Sequence, residues 1–131
     1  MHEEENIALV KRGVEAAMTG DYDTLRSMLT EDVSFSGPFQ PEIHGADEVI
    51  ATMKQWDQRA AERGLTWERE TEYEGVWADE NRVVVLQHVK MIRDGKTFDT
   101  HEVQIVELRD GKACKLTGYT SEPDKLTELM S

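Results

Sequence analysis

Apolar side chains along this chain recur first at helical spacing and then at strand spacing. Ile7, Val10, Val14, Ala17 and Met18 form one stripe on a 3.6-residue period, and Glu3 to Glu5 precede it, where negative charge favours a helix start. Gly20 predicts the stop, and Asp21 the cap of a short second helix carrying Tyr22, Leu25, Met28 and Leu29. A short strand is expected around Val33 to Phe35, then a loop punctuated by Gly37, Pro38, Pro41 and Gly45, with His44 exposed in it. A third helix opens near Ala46 and Asp47, buries Val49, Ile50, Met53, Trp56 and Ala60, and ends at Gly64, where a glycine cap belongs.

From Leu65 the period changes to two. "TWERETEYEGVW" sets Trp67, Arg69, Thr71 and Tyr73 against Glu68, Glu70, Glu72 and Glu74, and the glutamate row reads as a solvated face. "RVVVLQHVKMI", "TFDTHEVQIVEL" and "KACKLTGYTS" follow as three strands, joined by Arg93-Asp94-Gly95-Lys96 and Arg109-Asp110-Gly111-Lys112. Asp-Gly between strand patterns is a strong hairpin signal. Helices followed by an antiparallel meander predict one α+β domain over residues 1–131, with the helices covering one face of a twisted sheet.

Charge narrows the partners. The net charge of −12 is spread along the chain and no basic block interrupts it, which argues against nucleic acid and anionic membrane surfaces. No apolar run approaches the ~20 residues of a membrane span, and no signal-peptide core follows Met1. The single cysteine, Cys114, fits a reducing cytoplasm, and one Cys with four scattered His does not suggest a structural zinc site. Neither a metal nor a cofactor is expected. Trp56, Trp67 and Trp77 read as core or pocket wall.

The segments "GDYDTLRSMLTEDVSF", "HGADEVI" and "RDGKACKLTGY", in this order, resemble the NTF2-like (cystatin-like) superfamily, and within it SnoaL-like and ketosteroid-isomerase-like proteins. The resemblance spans about Ile7 to Ser121. It implies a cone in which three N-terminal helices pack on a curved antiparallel sheet around an apolar pocket, with the outer sheet face commonly forming a homodimer. Val14, Phe35, Met53 and Trp56 would then wall the pocket. Three positions depart from the family pattern. Gly13 stands where ketosteroid isomerases carry an oxyanion-hole tyrosine, and Gly37 where they carry the general-base aspartate; Ser121, followed by Glu122, stands where SnoaL-like cyclases often carry an aspartate.

Counting outward from a two-residue turn at Asp94-Gly95 pairs Leu86 with Val103, Val84 with Ile105, His88 with His101 and Lys90 with Asp99. The same count through Asp110-Gly111 sets Ile105 beside Leu116, Val103 beside Gly118 and His101 beside Thr120. A one-residue bulge at either turn would invert the parity. On this count one face carries Leu86, Val103, Ile105 and Leu116 at depth and His88, His101, Asp99 and Thr120 towards the rim, while Glu102 and Tyr119 face outward. An imidazole oriented by a carboxylate suits general acid–base work near pH 7, so His101, Asp99 and His88 are the candidate catalytic groups. Asp99 has a second reading as a salt-bridge partner of Lys90, and the histidine pair has one as a structural feature of the sheet.

Two function classes follow. One is a small-molecule isomerase, cyclase or hydrolase acting on an apolar molecule through His101 and Asp99. The other is a non-catalytic ligand-binding or dimerisation module with the same pocket.

Overall fold

The computed structural model describes residues 2–37, 40–67 and 72–130. Its elements follow the order α1 (His2–Thr19), α2 (Tyr22–Ser27), β1 (Leu29–Gly37), β2 (Gln40–His44), α3 (Ala46–Glu62), β3 (Thr66–Trp67), β4 (Glu72–Asp79), β5 (Arg82–Arg93), β6 (Lys96–Arg109), β7 (Lys112–Thr120) and α4 (Pro123–Met130). Local chemistry sets several boundaries. Gly20 and Gly64 end α1 and α3 with φ of 75° and 68°, and Asp21 caps α2 by accepting from the Thr24 amide and hydroxyl. The loop expected around residues 40–44 is instead the edge strand β2. The alternation expected over residues 68–71 and the packing of Trp67 lie outside the described residues.

The strands form one sheet in the order β2-β1-β7-β6-β5-β3, with β4 also on β5; β1 and β7 are parallel and the other pairs antiparallel. Both hairpins turn on Asp-Gly with positive φ at each residue: 55° and 75° at Asp94-Gly95, 53° and 77° at Asp110-Gly111. Their twist matches that of the flanking strands. The β5–β6 register is the one counted from the turn, with His88 opposite His101, Leu86 opposite Val103 and Lys90 opposite Asp99.

The β6–β7 register differs from the count. It shifts between Glu107 and Leu108, leaving Cys114 as the extra residue, its thiol donating to the Glu107 carbonyl. Ile105 therefore sits beside Thr117 rather than Leu116, Val103 beside Tyr119, and Glu102 beside Thr120.

The buried side of the sheet is also the opposite of the expected one. Val83, Val85, Gln87, Val89 and Met91 of β5, with Thr100, Val106 and Leu108 of β6, lie under the helices and are buried. Leu86, Val103 and Ile105 are half-buried on the outer face, and there Trp77, expected in the core or the pocket wall, is 57% exposed. The strands carry aliphatic residues on both parities, so alternation alone permits either solution. The chosen face is the one whose aliphatic row stays apolar to the hairpin, through Val106 and Leu108 to Ala113. The competing row ends in Glu107 and Arg109.

A fourth helix, α4, adds to the three expected. Pro123 opens it without losing a helical hydrogen bond, and Leu126 and Leu129 bury one face against Ala60, Leu65, Val89 and Met91. The Arg93 guanidinium donates to the Leu129 carbonyl, tying α4 to the first hairpin.

Candidate functional site

A cavity of about 360 Å³ lies between the helices and the inner sheet face. Val14 and Met18 from α1, Met53 and Trp56 from α3, Phe35 from β1 and Leu126 from α4 make much of its wall. The sheet contributes Gln87 and Val89, then Glu102, Gln104 and Val106, then Leu116, Gly118 and Thr120. This follows from parity: once Val89 and Val106 face inward, every second residue along β5 and β6 faces the same side.

Glu102 is the central polar group. Across the ladders it pairs with Gln87 on one side and Thr120 on the other. The Thr120 hydroxyl is held by the Thr100 hydroxyl at 2.7 Å. Burial, with no charged or hydrogen-bonding partner contributing, pushes the Glu102 carboxyl up from 4.5 to about 7. Such a carboxyl exchanges its proton near neutral pH, the condition for general acid–base work.

A second carboxylate, Asp57, lines the helical wall one residue after Trp56. The Tyr22 hydroxyl donates to Asp57 Oδ2, and Lys54 Nζ lies over the Tyr22 ring, 5.3 Å from its centroid. Burial first, then the bond to Asp57 and its charge, raise the Tyr22 phenol to about 12, so it keeps its proton and remains the donor.

The expected catalytic group lies across the sheet from this cavity. His88, His101 and Asp99 are on the outer face because their parity is that of Leu86 and Val103. His88 is held by Glu72 at 3.0 Å through Nδ1 and by Asp99 at 2.9 Å through Nε2, while His101 Nε2 contacts Glu74 at 2.8 Å. Asp99 therefore orients His88 rather than His101 or Lys90. Among the described residues no group of three or more His, Cys, Asp or Glu could hold a metal ion.

Of the expected ligand contacts, Val14, Phe35, Met53, Trp56, Leu116 and Thr120 line the cavity, and Leu86, Val103 and Ile105 do not. Glu102, expected on the outer face, lines the cavity instead, and Gln87, Gln104 and Asp57 were not anticipated there. The apolar end of the Glu102 row, Val106 and Leu108, was the sequence signal for the first three; Asp57 had none, because the α3 pattern gives it only a position beside Trp56.

The SnoaL-like domain family matches residues 10–116. The sequence has no match among curated proteins. A LEH-like epoxide hydrolase from M. tuberculosis superposes with a TM-score of 0.76 at 18% identity, covering 99% of this chain and 92% of that one. Bal32a, from a soil-derived mobile gene cassette, gives 0.83 at 18% identity over 100% of both chains. A candidate SnoaL-like polyketide cyclase from Jannaschia sp. CCS1 gives 0.78 at 21% identity, over 98% of this chain and 94% of that one. At these identities the three likenesses establish the fold alone. No described helix is long and apolar enough to cross a membrane.

Proposed function

Because the chain belongs to the SnoaL-like domain family, we propose that its cavity binds a small apolar molecule and that Glu102 moves a proton on it. The reaction class is isomerisation, cyclisation or hydrolysis. The observation that carries this reading is the Glu102 carboxyl, raised to about 7 by burial in a cavity walled mostly by aliphatic and aromatic groups. In its acid form Glu102 donates to a ligand oxygen; in its base form it takes a proton from a carbon or a water. Thr120, and the amides of Gln87 and Gln104, supply neutral hydrogen-bonding groups around the same point. The structural relatives include a hydrolase and a candidate cyclase by name, in keeping with the class.

The second reading, ligand binding without turnover, draws on Gly13 and Gly37. Both line the cavity and neither brings the side chain that ketosteroid isomerases use at the resembling positions. A homodimer through the outer sheet face belongs to either reading, supported by the exposure of Trp77 and Tyr119 on that face.

Solvent-deuterium exchange into 2-tetralone and ring opening of styrene oxide test the enzymatic reading. Acceleration that titrates near neutral pH and disappears in Glu102→Gln is expected. Turnover undiminished in Glu102→Gln would sink the assignment. Saturable binding of 2-tetralone, with neither reaction accelerated, would favour the binding module.

A further inference from the structure

We propose that Asp57, held by Tyr22, is a second polar subsite of this cavity, which takes a hydrogen-bond donor, an ammonium or a hydroxyl, on an otherwise apolar ligand and turns carboxylates away. The inference rests on the reading of the cavity as the ligand site and adds the chemistry of the ligand's other end.

Three observations carry it. Tyr22 occupies Asp57 Oδ2 from the α2 side, which fixes the carboxylate and leaves Oδ1 without a partner among the described residues. Asp57 is half-buried in a mostly aliphatic and aromatic wall, so a donor on the ligand that meets Oδ1 replaces a contact with water by a direct charge-assisted hydrogen bond. The lining residues include two carboxyl groups, Asp57 and Glu102, and no Lys, Arg or His. An anion entering here would lose its hydration without gaining a counter-charge.

Glu102 sits on the sheet and Asp57 on α3, so one ligand can meet both only if it is polar at two places on an apolar frame. At about 360 Å³ the cavity is at the small end of ligand pockets, which suits a frame of one to a few fused rings. The phenol of Tyr22 is a positioning group, since it acts on Asp57 rather than on the ligand.

The test uses a matched series, 2-naphthylmethylamine, 2-naphthylmethanol and 2-naphthoate, titrated calorimetrically into the intact protein near neutral pH. The amine and the alcohol should bind more tightly than the carboxylate, the amine by about tenfold or more, as expected for one charge-assisted hydrogen bond. Asp57→Asn, which keeps an acceptor for Tyr22, should erase the preference for the amine over the alcohol, whereas Glu102→Gln should retain it. Thermal melts of both variants confirm that they are folded. Equal binding of all three probes, or an amine preference that survives Asp57→Asn, would overturn the subsite and leave the cavity reading intact. Loss of the preference in Glu102→Gln alone would assign the donor end to Glu102 and overturn it too. Failure of every probe to bind would overturn both the subsite and the ligand cavity beneath it.

Discussion

The imidazole rings of His88 and His101 stack across the β5–β6 ladder, with centroids 5.0 Å apart and planes 14° from parallel. Both rings face away from the cavity, and carboxylates of Glu72, Asp99 and Glu74 bracket them. The hydrogen bond to Glu72 leads the causes that raise the His88 pKa, with Asp99 adding to it and partial burial opposing. A raised histidine stabilises the fold fully below its unfolded value of about 6.5, and that contribution fades as pH climbs through the shifted value. Glu72→Gln should therefore lower the His88 titration midpoint in an NMR pH series. A midpoint that does not move would show that the bond is absent in solution.

Glu102 gives the opposite group with the same sign of shift. Its folded-state value is near 7 against an ordinary 4.5. Between these two values the folded chain holds a proton that the unfolded chain has released, so stability falls as pH rises across the window. The loss reaches roughly 3 kcal/mol once both states are ionised. Glu102→Gln removes the ionisation and should be the more stable protein at pH 8, with little difference at pH 4. Urea unfolding at the two pH values measures this, and parallel curves for variant and wild type would rule out a neutral, buried Glu102.

The direction of the sheet face can be tested with two substitutions three residues apart. Val106 is 7% exposed under the helices, while Val103 is half-buried on the outer face. Val106→Asp should unfold the domain or cost about 4 kcal/mol or more, because the charge has no partner there. Val103→Asp should cost the isolated subunit only about 1 kcal/mol. Thermal melts showing the reverse order would mean that the sheet faces the other way.

Trp77 and Tyr119, 57% and 56% exposed, share the outer face with Leu86, Val103 and Ile105. The Trp77 indole lies close over Gly75, where a Cβ would come within 2.3 Å of the ring. If a second copy covers this face, light scattering at high concentration should give a dimer mass, and Trp77→Glu should shift it to monomer with the fold retained. A monomeric mass for wild type at high concentration would remove the homodimer.

Much of the fold was legible because its determinants are local. The α1 and α3 stripes, the Asp21 cap, the glycines at 20 and 64 and the two Asp-Gly turns act within a few residues of themselves, and each predicted its element. The turn at Asp94-Gly95 even set the pairing of β5 with β6 along its whole length. The segment after residue 120 was legible too, through Pro123 and the spacing of Leu126 and Leu129, although α4 was not anticipated.

The side of the sheet that would be buried was not local. Val84, Leu86, Val103 and Ile105 match Val83, Val85, Val89 and Val106 over most of their length, so a period of two ranks the rows only at the hairpin end, where Leu108 stands against Glu107 and Arg109. The ranking came from where α1 and α3 pack, on the Val83 and Val85 side, and the Cys114 bulge then moved β7 by one residue against β6. Helix packing exchanged His101 for Glu102 as the group facing the cavity, and the bulge set Thr120 beside it. Neighbours in sequence on a strand point to opposite faces, so the sequence determined that one of them would meet the ligand space, and only helix packing decided which.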